Sequence, residues 1–423
     1  MSVEYDERQI DLGRRILAAG PICDECLGRR YAKVGRGLSN AERGRAIRER
    51  VGEAEASGGC WVCDGLFNRA DEWAERAVRR ADGIEFETYL FGVELSPRVE
   101  EMEALLEDRF PSDDAESAKH AFNRVVGKAF EARLGRPATV AFVGADLSYV
   151  IDVRANGLRL HVASLYVYGR YRKLVRGIPQ TRWPCRRCRG RGCTTCGFTG
   201  KQYPESVEEW IAAPLLDTAH ADGAHLHGAG REDIDARMLG NGRPFVLELL
   251  APRRRTLDLA ALTRSVNTHA EGRVEVSPLR FVERGAVAHL KETRSAKRYR
   301  AAVAFDAPVS GDELSAALGA LCGEIEQRTP RRVSHRRADR VRRRRLIAAS
   351  GRMDGPRSAV VEVEGDGGLY IKELISGDEG RTNPSLAGCL EVGAAVTELD
   401  VLEVRSGLPE ERTDAVDTGQ GVP

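Results

Sequence analysis

The sequence lacks long apolar segments, internal repeats and low-complexity regions. Of its 423 residues, 42% are hydrophobic, but no apolar run approaches the roughly 18–20 residues that cross a bilayer. The first residues, MSVEYDERQIDLGRRIL, mix acidic, basic and apolar side chains and lack the apolar core of a signal peptide. These absences argue against a membrane-spanning or repeat protein. We expect a soluble, cytoplasmic chain of two or three domains with no membrane partner.

The sequence also lacks a large excess of positive or of negative charge, because the formal net charge is only +1. Charge is concentrated locally instead. Arg331–Arg345 contains nine arginines and a single aspartate in fifteen residues. So many neighbouring cations repel one another unless an anion neutralises them, and phosphate is the usual anion. We therefore predict that this segment binds phosphates; a solvated arginine-rich helix face or a disordered tail is the alternative.

Few cysteines are isolated: eight of the ten form four Cys-x-x-Cys pairs, and only Cys322 and Cys389 stand alone. Without an export signal, this pattern favours metal binding over disulfides. A redox role is the alternative, but the first two pairs lack a thioredoxin-like strand-to-helix context. Four thiolates form the usual closed, structural zinc site. The predicted zinc ligands are Cys23, Cys26, Cys60 and Cys63 at one site, and Cys185, Cys188, Cys193 and Cys196 at the other.

The order of helix-like and strand-like segments predicts four parts. Residues 1–83 form a zinc-binding segment, and residues 84–200 form an α/β module that ends with the second cysteine cluster. In this module, alternating apolar positions flank an Asn156–Gly157 pair, which is typical of a hairpin turn. Residues 201–406 alternate strands and helices and form the candidate catalytic domain. Residues 407–423 are polar, and we predict that they are disordered.

The segment Gly169–Trp183, GRYRKLVRGIPQTRW, interleaves cations with tyrosine and tryptophan. Cations beside aromatic rings suit an RNA backbone and its unstacked bases. We interpret the segment as a candidate RNA-binding surface.

The most informative stretch is His227–Phe245, HGAGREDIDARMLGNGRPF. Its first half is a glycine-bracketed turn that carries Arg231, Asp233 and Asp235. Its second half, Gly240–Pro244, is predicted to be another tight turn before a buried strand. Glycines permit backbone shapes that aim the intervening side chains at a ligand. A charged pair in such a turn is more often a site than a plain connection, although a solvated loop with an Arg–Asp ion pair is the alternative.

Three segments together resemble a known family of enzymes. GREDIDARMLGNGRPF, SLYVYGRYRKLVRGIPQTRWPC and YIKELISGDEGRTNPS are similar to archaeal tRNA pseudouridine synthases that have an N-terminal THUMP-containing region and modify the T-loop. The resemblance covers roughly residues 20–405 and includes both cysteine clusters. It implies an α+β fold, with a mixed, largely antiparallel catalytic sheet preceded by a THUMP-like α/β module with four-cysteine zinc knuckles. It also implies tRNA as the partner, bound at the T-arm and acceptor stem, with no organic cofactor and no obligate protein partner.

The activity implied by this resemblance is an isomerisation that detaches uracil from ribose, turns it and rejoins it through carbon 5. The implied targets are tRNA positions 54, 55 or both. By the match to the family's Gly-Arg-x-Asp turn, Asp233 is the nucleophile, Arg231 helps to hold the place of the flipped base, and Asp235 has a supporting role. A carboxylate can attack either carbon 6 of the base or the anomeric carbon, and the sequence leaves both routes open.

The resemblance also implies the residues that contact the substrate. Lys372 is the expected cation beside Asp233, and either Leu399 or Leu402 is expected to line the pocket. The remaining expected contacts are Tyr299, Tyr370 and Ile371.

Three alternatives remain at this point. A non-catalytic THUMP-type tRNA-binding or chaperone protein would not need Asp233. A THUMP-linked methyltransferase should have a glycine-rich turn after the first strand of a doubly wound sheet, and a thiouridine synthase should have a phosphate-binding loop and a reactive cysteine. Neither signature is found in the sequence, and we expect Cys322 and Cys389 to be small buried residues.

Overall fold

The computed structural model describes residues 4–53, 59–292 and 295–408. The predicted disordered tail therefore lies outside the described residues from position 409 onward. The chain divides into two compact units. The first comprises Met1–Ala163 with Ala251–Arg255, and the second comprises Ser164–Leu250 with Thr256–Pro423. In the described ranges, no helix combines the length and the apolar character needed to cross a bilayer.

The first unit combines a helical segment with a small sheet. The sheet order is β2-β1-β3-β4, in which β1 runs parallel to β2 and β3, and β4 runs antiparallel to β3. The helices are α1 (Glu7–Ala18), α2 (Asp24–Gly28), α3 (Asn40–Val51), α4 (Ala70–Ala81), α5 (Pro97–Arg109) and α6 (Ala118–Leu134). The strands are β1 (Thr88–Glu94), β2 (Thr139–Val140), β3 (Leu147–Asp152) and β4 (Gly157–Val162).

Local sequence signals explain several of these elements. Ser39 accepts a hydrogen bond from the Glu42 amide and forms a capping box that begins α3. Asn156 has a positive φ of 49°, which permits the tight turn between β3 and β4, as predicted. The helices α2 and α3 cross so closely that a Cβ atom on Gly44 would lie 2.1 Å from the Asp24 carbonyl oxygen. Glycine is therefore required at this crossing.

The second unit contains eleven strands and six helices among its described residues. The strands are β5 (Leu165–Lys173), β6 (Gly223–Gly228), β7 (Ala236–Leu250), β8 (Val274–Val276), β9 (Arg280–Val282), β10 (Lys297–Phe305), β11 (Gly323–Arg328), β12 (Val341–Gly355), β13 (Ser358–Gly365), β14 (Thr382–Asn383) and β15 (Ala394–Val404). The helices are α7 (Val207–Ala219), α8 (Leu259–His269), α9 (Gly285–Glu292), α10 (Gly311–Leu321), α11 (Ile371–Ser376) and α12 (Leu386–Leu390).

These eleven strands form one sheet. Nine follow the order β14-β11-β12-β13-β10-β15-β7-β5-β8, while β6 pairs with β7 and β9 pairs with β5. Each pairing between the described strands of this sheet is antiparallel, except that β15 runs parallel to β7. The predicted mixed, largely antiparallel α+β fold is confirmed. The unit begins at Ser164, so it includes the second cysteine cluster, which the sequence analysis assigned to the preceding module.

The predicted turn at Gly240–Pro244 is wrong, because β7 passes through it without interruption. Gly240 and Gly242 have positive φ values of 54° and 71°. A Cβ atom on Gly240 would lie 1.8 Å from the Leu402 carbonyl oxygen of β15, and one on Gly242 would lie 2.8 Å from the Tyr171 carbonyl oxygen of β5. These glycines therefore allow two neighbouring strands to approach β7, rather than reverse the chain.

The arginine-rich segment passes from a short 3-10 helix, Arg331–Arg336, into the strand β12, so the alternative of a helix face or a disordered tail does not hold. One other expectation needs correction. Cys322 and Cys389 are exposed rather than buried. Each lies at or near the end of a helix, where an apolar neighbourhood in sequence does not guarantee burial.

Gly240→Ala should destabilise the second unit by roughly 3 kcal/mol, because it combines left-handed backbone strain with a clash against β15. The matched control is Gly272→Ala. Gly272 also has a positive φ, of 75°, but no atom lies within 4 Å of its added Cβ, so a loss of only about 1 kcal/mol is expected. Urea unfolding followed by circular dichroism measures both. Equal losses would show that the contact with β15 is not tight.

Candidate active site

A cavity of about 380 Å³ opens in the second unit. Its wall is formed by the turn before β7, by β10 and β15, by the arginine-rich segment and by the start of α11. Leu399 contributes to the lining, whereas the backbone carbonyl of Leu402 packs against Gly240. The residues selected from the sequence for catalysis and substrate binding all line this cavity: Arg231, Asp233, Tyr299, Tyr370, Ile371 and Lys372.

The Asp233 carboxylate lies beside two cations. Arg332 Nη1 is 3.2 Å from Oδ1 and 3.1 Å from Oδ2 of Asp233. Lys372 Nζ is 3.8 Å from Asp233 Oδ2 but 2.6 Å from Asp235 Oδ2. The expected lysine is therefore present, yet Arg332 makes the closer contact with Asp233. About a third of the Asp233 side chain is exposed, at 32%, so the carboxylate remains accessible from the cavity.

Arg332 is held in place by a second carboxylate. Its Nε donates to Glu373 Oε1 at 2.6 Å, and Glu373 is buried in α11. Burial disfavours the charge on Arg332, but the hydrogen bond to Glu373 and the charges of Glu373 and Asp233 outweigh this effect and raise the pKa of the guanidinium. Arg332 is therefore a fixed, permanent cation at the nucleophile candidate.

A buried ion pair lies beneath the turn that carries Asp233. Glu232 is 7% exposed and Arg243 is 1% exposed, and Arg243 Nε donates to Glu232 Oε2 at 2.8 Å. The Tyr171 hydroxyl lies 2.9 Å from both carboxylate oxygens of Glu232. Arg243 Nη1 also donates to the Ala229 carbonyl oxygen at 2.7 Å. Burial disfavours the charge on Arg243, but the negative charge of Glu232 outweighs this effect and raises the pKa of Arg243.

Two further buried donors hold the backbone of the turn. Lys173 Nζ donates to the carbonyl oxygens of Asp233 at 3.2 Å and Ile234 at 3.0 Å. Gln180 Nε2 donates to the Gly230 carbonyl oxygen at 3.0 Å. Burial lowers the pKa of Lys173 to about 8. The interpretation of this segment as an RNA-binding surface is therefore wrong for Tyr171 and Lys173, both of which are fully buried.

Two tyrosines line the cavity. Tyr299 lies on β10, and burial raises its pKa to about 12, so its hydroxyl stays protonated at neutral pH. Tyr370 precedes α11, and its hydroxyl accepts a hydrogen bond from Arg337 Nη1 at 3.1 Å. Arg231, in the turn, lies with its guanidinium carbon 5.3 Å from the centre of the Trp183 ring. Such surfaces suit a planar base.

Positive charge dominates the cavity lining. Two acidic residues, Glu232 and Asp233, line it, and Glu232 is already paired. A polyanion would therefore be attracted to its mouth. The basic lining residues are Arg231, Arg243, Lys297, Arg332, Arg337, Arg342, Arg344 and Lys372.

Sequence reasoning missed several of these residues. Arg332 was one of nine arginines in a segment interpreted as a phosphate-binding patch, and nothing nearby in sequence marked it as the partner of Asp233. Glu232 and Arg243 lie within the stretch that was selected, but neither was identified as part of the site. A weak signal existed, because a charge next to a glycine-bracketed turn needs a partner if the turn is buried.

The two cysteine clusters have the geometry of metal centres. In each cluster the four sulfur atoms lie within 4.8 Å of one another. At the second cluster, the backbone amide of Gly192 donates to Cys188 Sγ at 3.2 Å, and that of Gly200 donates to Cys196 Sγ at 3.3 Å. Such amide donors stabilise thiolates, the form that binds metal. Each of the two clusters can therefore hold a metal ion.

The mixed sheet and the basic cavity, with an aspartate in its turn and tyrosines in its wall, agree with the class that the similar proteins share, the pseudouridine synthases, which are isomerases. Comparison with protein families identifies the branch of this class. The model "Pus10, C-terminal" matches residues 166–405, and "Pus10 THUMP domain, archaeal" matches residues 73–152. The chain belongs to the Pus10 family, and the predicted family and THUMP module are confirmed.

Similar curated proteins carry the name "tRNA pseudouridine synthase Pus10". The protein from Halorubrum lacusprofundi is 49% identical over 411 residues, covering 93% of this chain and 96% of its own. The protein from Methanothrix thermoacetophila is 45% identical over 427 residues, and the match covers 93% of this chain and 94% of that protein. A crystal structure of a Cbf5–Nop10–Gar1 complex matches with a TM-score of 0.30 and 19% identity, covering 55% of this chain and 47% of the matched chain.

Arg243→Met should destabilise the second unit by roughly 3 kcal/mol, because it leaves the Glu232 carboxylate buried without its partner. Arg300→Met is the matched control. Arg300 pairs with Glu362 on the same sheet, but the two side chains are 50% and 34% exposed, so a change of about 0.5 kcal/mol is expected. Urea denaturation measures both changes. An Arg243→Met protein as stable as the wild type would contradict an anchoring role for the buried pair.

Proposed function

We propose that this protein converts uridine to pseudouridine in the T-loop of tRNA, at position 54, 55 or both, with Asp233 as the nucleophile. The observation that carries the proposal is the placement of the Asp233 carboxylate. It projects from a turn held by buried donors, 3.1 Å from Arg332, into a basic cavity with two tyrosines. The name that the similar archaeal proteins share, tRNA pseudouridine synthase, supports tRNA as the substrate.

The target uridine must leave its stack to reach Asp233, because a base stacked within a folded loop cannot enter the cavity that Asp233 lines. Arg332 lies 3.1 Å from Asp233 and balances part of the charge of its carboxylate. Attack on the anomeric carbon and attack on carbon 6 both suit a carboxylate. Tyr299 and Tyr370 supply the aromatic faces for the flipped base, Ile371 and Leu399 supply apolar walls, and Arg231 holds the space that the base vacates.

The tRNA backbone would be held by the arginines at the cavity mouth. Arg337, Arg342 and Arg344 line the cavity, and guanidinium groups bind phosphates in a bidentate manner. The THUMP module and the cysteine-rich segments would contact the acceptor stem and the T-arm. The proposed isomerisation would need no organic cofactor. We propose the cytoplasm as its compartment, because tRNA is the proposed substrate.

A non-catalytic tRNA-binding protein is the second candidate. It shares the basic cavity but has no use for a carboxylate that is both fixed by Arg332 and accessible to a ligand. Repulsion between this carboxylate and phosphate would weaken a site built only for binding. We therefore favour the enzyme.

Asp233→Ala should abolish pseudouridine formation on an unmodified tRNA transcript, with tRNA affinity within about threefold of wild type. The matched control is Asp235→Ala, which removes a carboxylate two residues away that also contacts Lys372. This control should keep activity within roughly tenfold. Mass spectrometry of digested tRNA measures conversion, and filter binding measures affinity. Conversion by Asp233→Ala, or tight binding by an inactive wild type, would favour the binding-protein alternative.

Both cysteine clusters are proposed to bind zinc. Sulfur-only ligation leaves no open coordination position, so the metal would be structural and would take no part in the isomerisation. The ion would offset two of the four negative charges of each cluster, and its bonds to all four sulfur atoms would fix the local loops.

The purified chain should contain two zinc ions, one for each cysteine cluster, by inductively coupled plasma mass spectrometry. Cys26→Ser should lose one of them and lower the melting temperature, since Cys26 is fully buried. The control is Cys322→Ser, which changes an exposed cysteine outside both clusters and should change neither quantity. Iron or no metal in the wild type would contradict the zinc assignment.

A further inference from the structure

Lys297 places an ammonium group in the wall of the active-site cavity. It is the first residue of β10 and lies two positions before Tyr299, so both side chains project from the same face of the strand. Its Nζ approaches the catalytic turn so closely that a Cβ atom on Gly230 would lie 2.8 Å from it. The absence of a side chain at Gly230 therefore leaves room for this ammonium beside the turn that carries Asp233.

The ammonium of Lys297 differs from the other cations that surround Asp233. Arg243, Arg332 and Lys372 each have a carboxylate partner. Within residues 4–53, 59–292 and 295–408, no carboxylate lies within 4.0 Å of Lys297 Nζ. Glu232 attracts it from a greater distance, but the charge of Glu232 is neutralised at close range by Arg243.

Burial, followed by repulsion from Arg243, lowers the pKa of Lys297 to about 8. A buried cation without a close counter-ion is costly, and such groups mark sites where a ligand supplies the missing charge. The position of Lys297 beside Tyr299 means that this ligand would be the base rather than a phosphate at the cavity mouth.

We propose that the Lys297 ammonium donates a hydrogen bond to a carbonyl oxygen of the flipped uracil and stabilises the negative charge that develops on this base during the isomerisation. This assignment rests on the proposed function. It makes Lys297 a catalytic residue in addition to Asp233.

The charge arises in either route open to Asp233. In the anomeric route, a carboxylate oxygen bonds to the anomeric carbon as the glycosidic bond breaks, and the bonding electron pair leaves with N1 and spreads onto the carbonyl oxygens. Carbon 5 of the turned base then bonds to the anomeric carbon as the ester bond to Asp233 breaks. Carbon 5 loses its proton to water and N1 gains one from water, so the reaction is balanced. Attack at carbon 6 instead pushes the π pair of the base onto the oxygen of carbon 4. A fixed ammonium at a carbonyl oxygen stabilises both species.

The test compares Lys297→Met and Lys297→Arg with wild type in single-turnover pseudouridine formation at saturating tRNA, with tRNA affinity measured in parallel. Lys297→Met should react about 100-fold more slowly, as expected for the loss of one such donor, with affinity within about twofold of wild type. Lys297→Arg keeps a permanent positive charge and should react at least about tenfold faster than Lys297→Met. Lys291→Met, on the exposed face of α9, is the control and should leave the rate and the affinity unchanged.

Each other outcome counts against the assignment. An unchanged rate for Lys297→Met removes Lys297 from the chemistry. Weaker tRNA binding with an unchanged rate at saturation would make Lys297 a phosphate contact. If both variants bind tRNA but are equally slow, the neutral amine would be acting as a base, and the ammonium role is wrong. Both variants should melt at or near the wild-type temperature, since neither creates an unpaired buried carboxylate.

An inactive wild type would overturn the proposed function itself, whereas an active wild type with equally active Lys297→Met overturns this assignment alone.

Discussion

The buried ion pair between Glu232 and Arg243 is the interaction on which the cavity depends. Two charges removed from water tolerate little displacement, because any separation leaves each without compensation. Arg243 Nε, on β7, lies 2.8 Å from Oε2 of Glu232, in the turn that carries Asp233. Arg243 also donates to the Ala229 carbonyl oxygen. Through these contacts the position of Asp233 is coupled to the strand that pairs with β15 and β5. The proposed nucleophile, Asp233, is therefore fixed by the sheet rather than by its own loop.

Part of this site could be predicted from the residues themselves. The glycine-bracketed turn identified Arg231 and Asp233 as candidates, because glycines restrict the local backbone shape that aims side chains at a ligand. The role of Asp233 as the nucleophile and the second wall around Tyr370 came only from the family resemblance. Spacing also identified both cysteine clusters, because paired Cys-x-x-Cys motifs leave few geometries other than a shared metal. The family resemblance supplied the overall α+β fold, which composition and periodicity could not have specified.

The remaining features depend on contacts between residues distant in sequence. Arg332 and Asp233 are 99 positions apart, and the pattern of nine arginines gave no means to choose among them. Tyr171 and Lys173 have the composition of an RNA-binding surface, yet strand pairing places both beneath the turn. Gly240 and Gly242 have the composition of a turn, yet they admit neighbouring strands. In each case the residue type was identified correctly, but its environment was set by the tertiary structure.

The short excursion of Ala251–Arg255 into the first unit has a consequence for synthesis of the chain. Arg255 donates to the Ala163 carbonyl oxygen at 2.7 Å and lies 3.0 Å from Asp146, so these five residues complete a unit whose other elements end at residue 163. On the ribosome, that unit stays unfinished until residue 255 has emerged, although N-terminal units usually fold first. By then β5, β6 and β7 have already been made. The two units therefore cannot mature in strict succession, and a single cut between them cannot yield two intact halves.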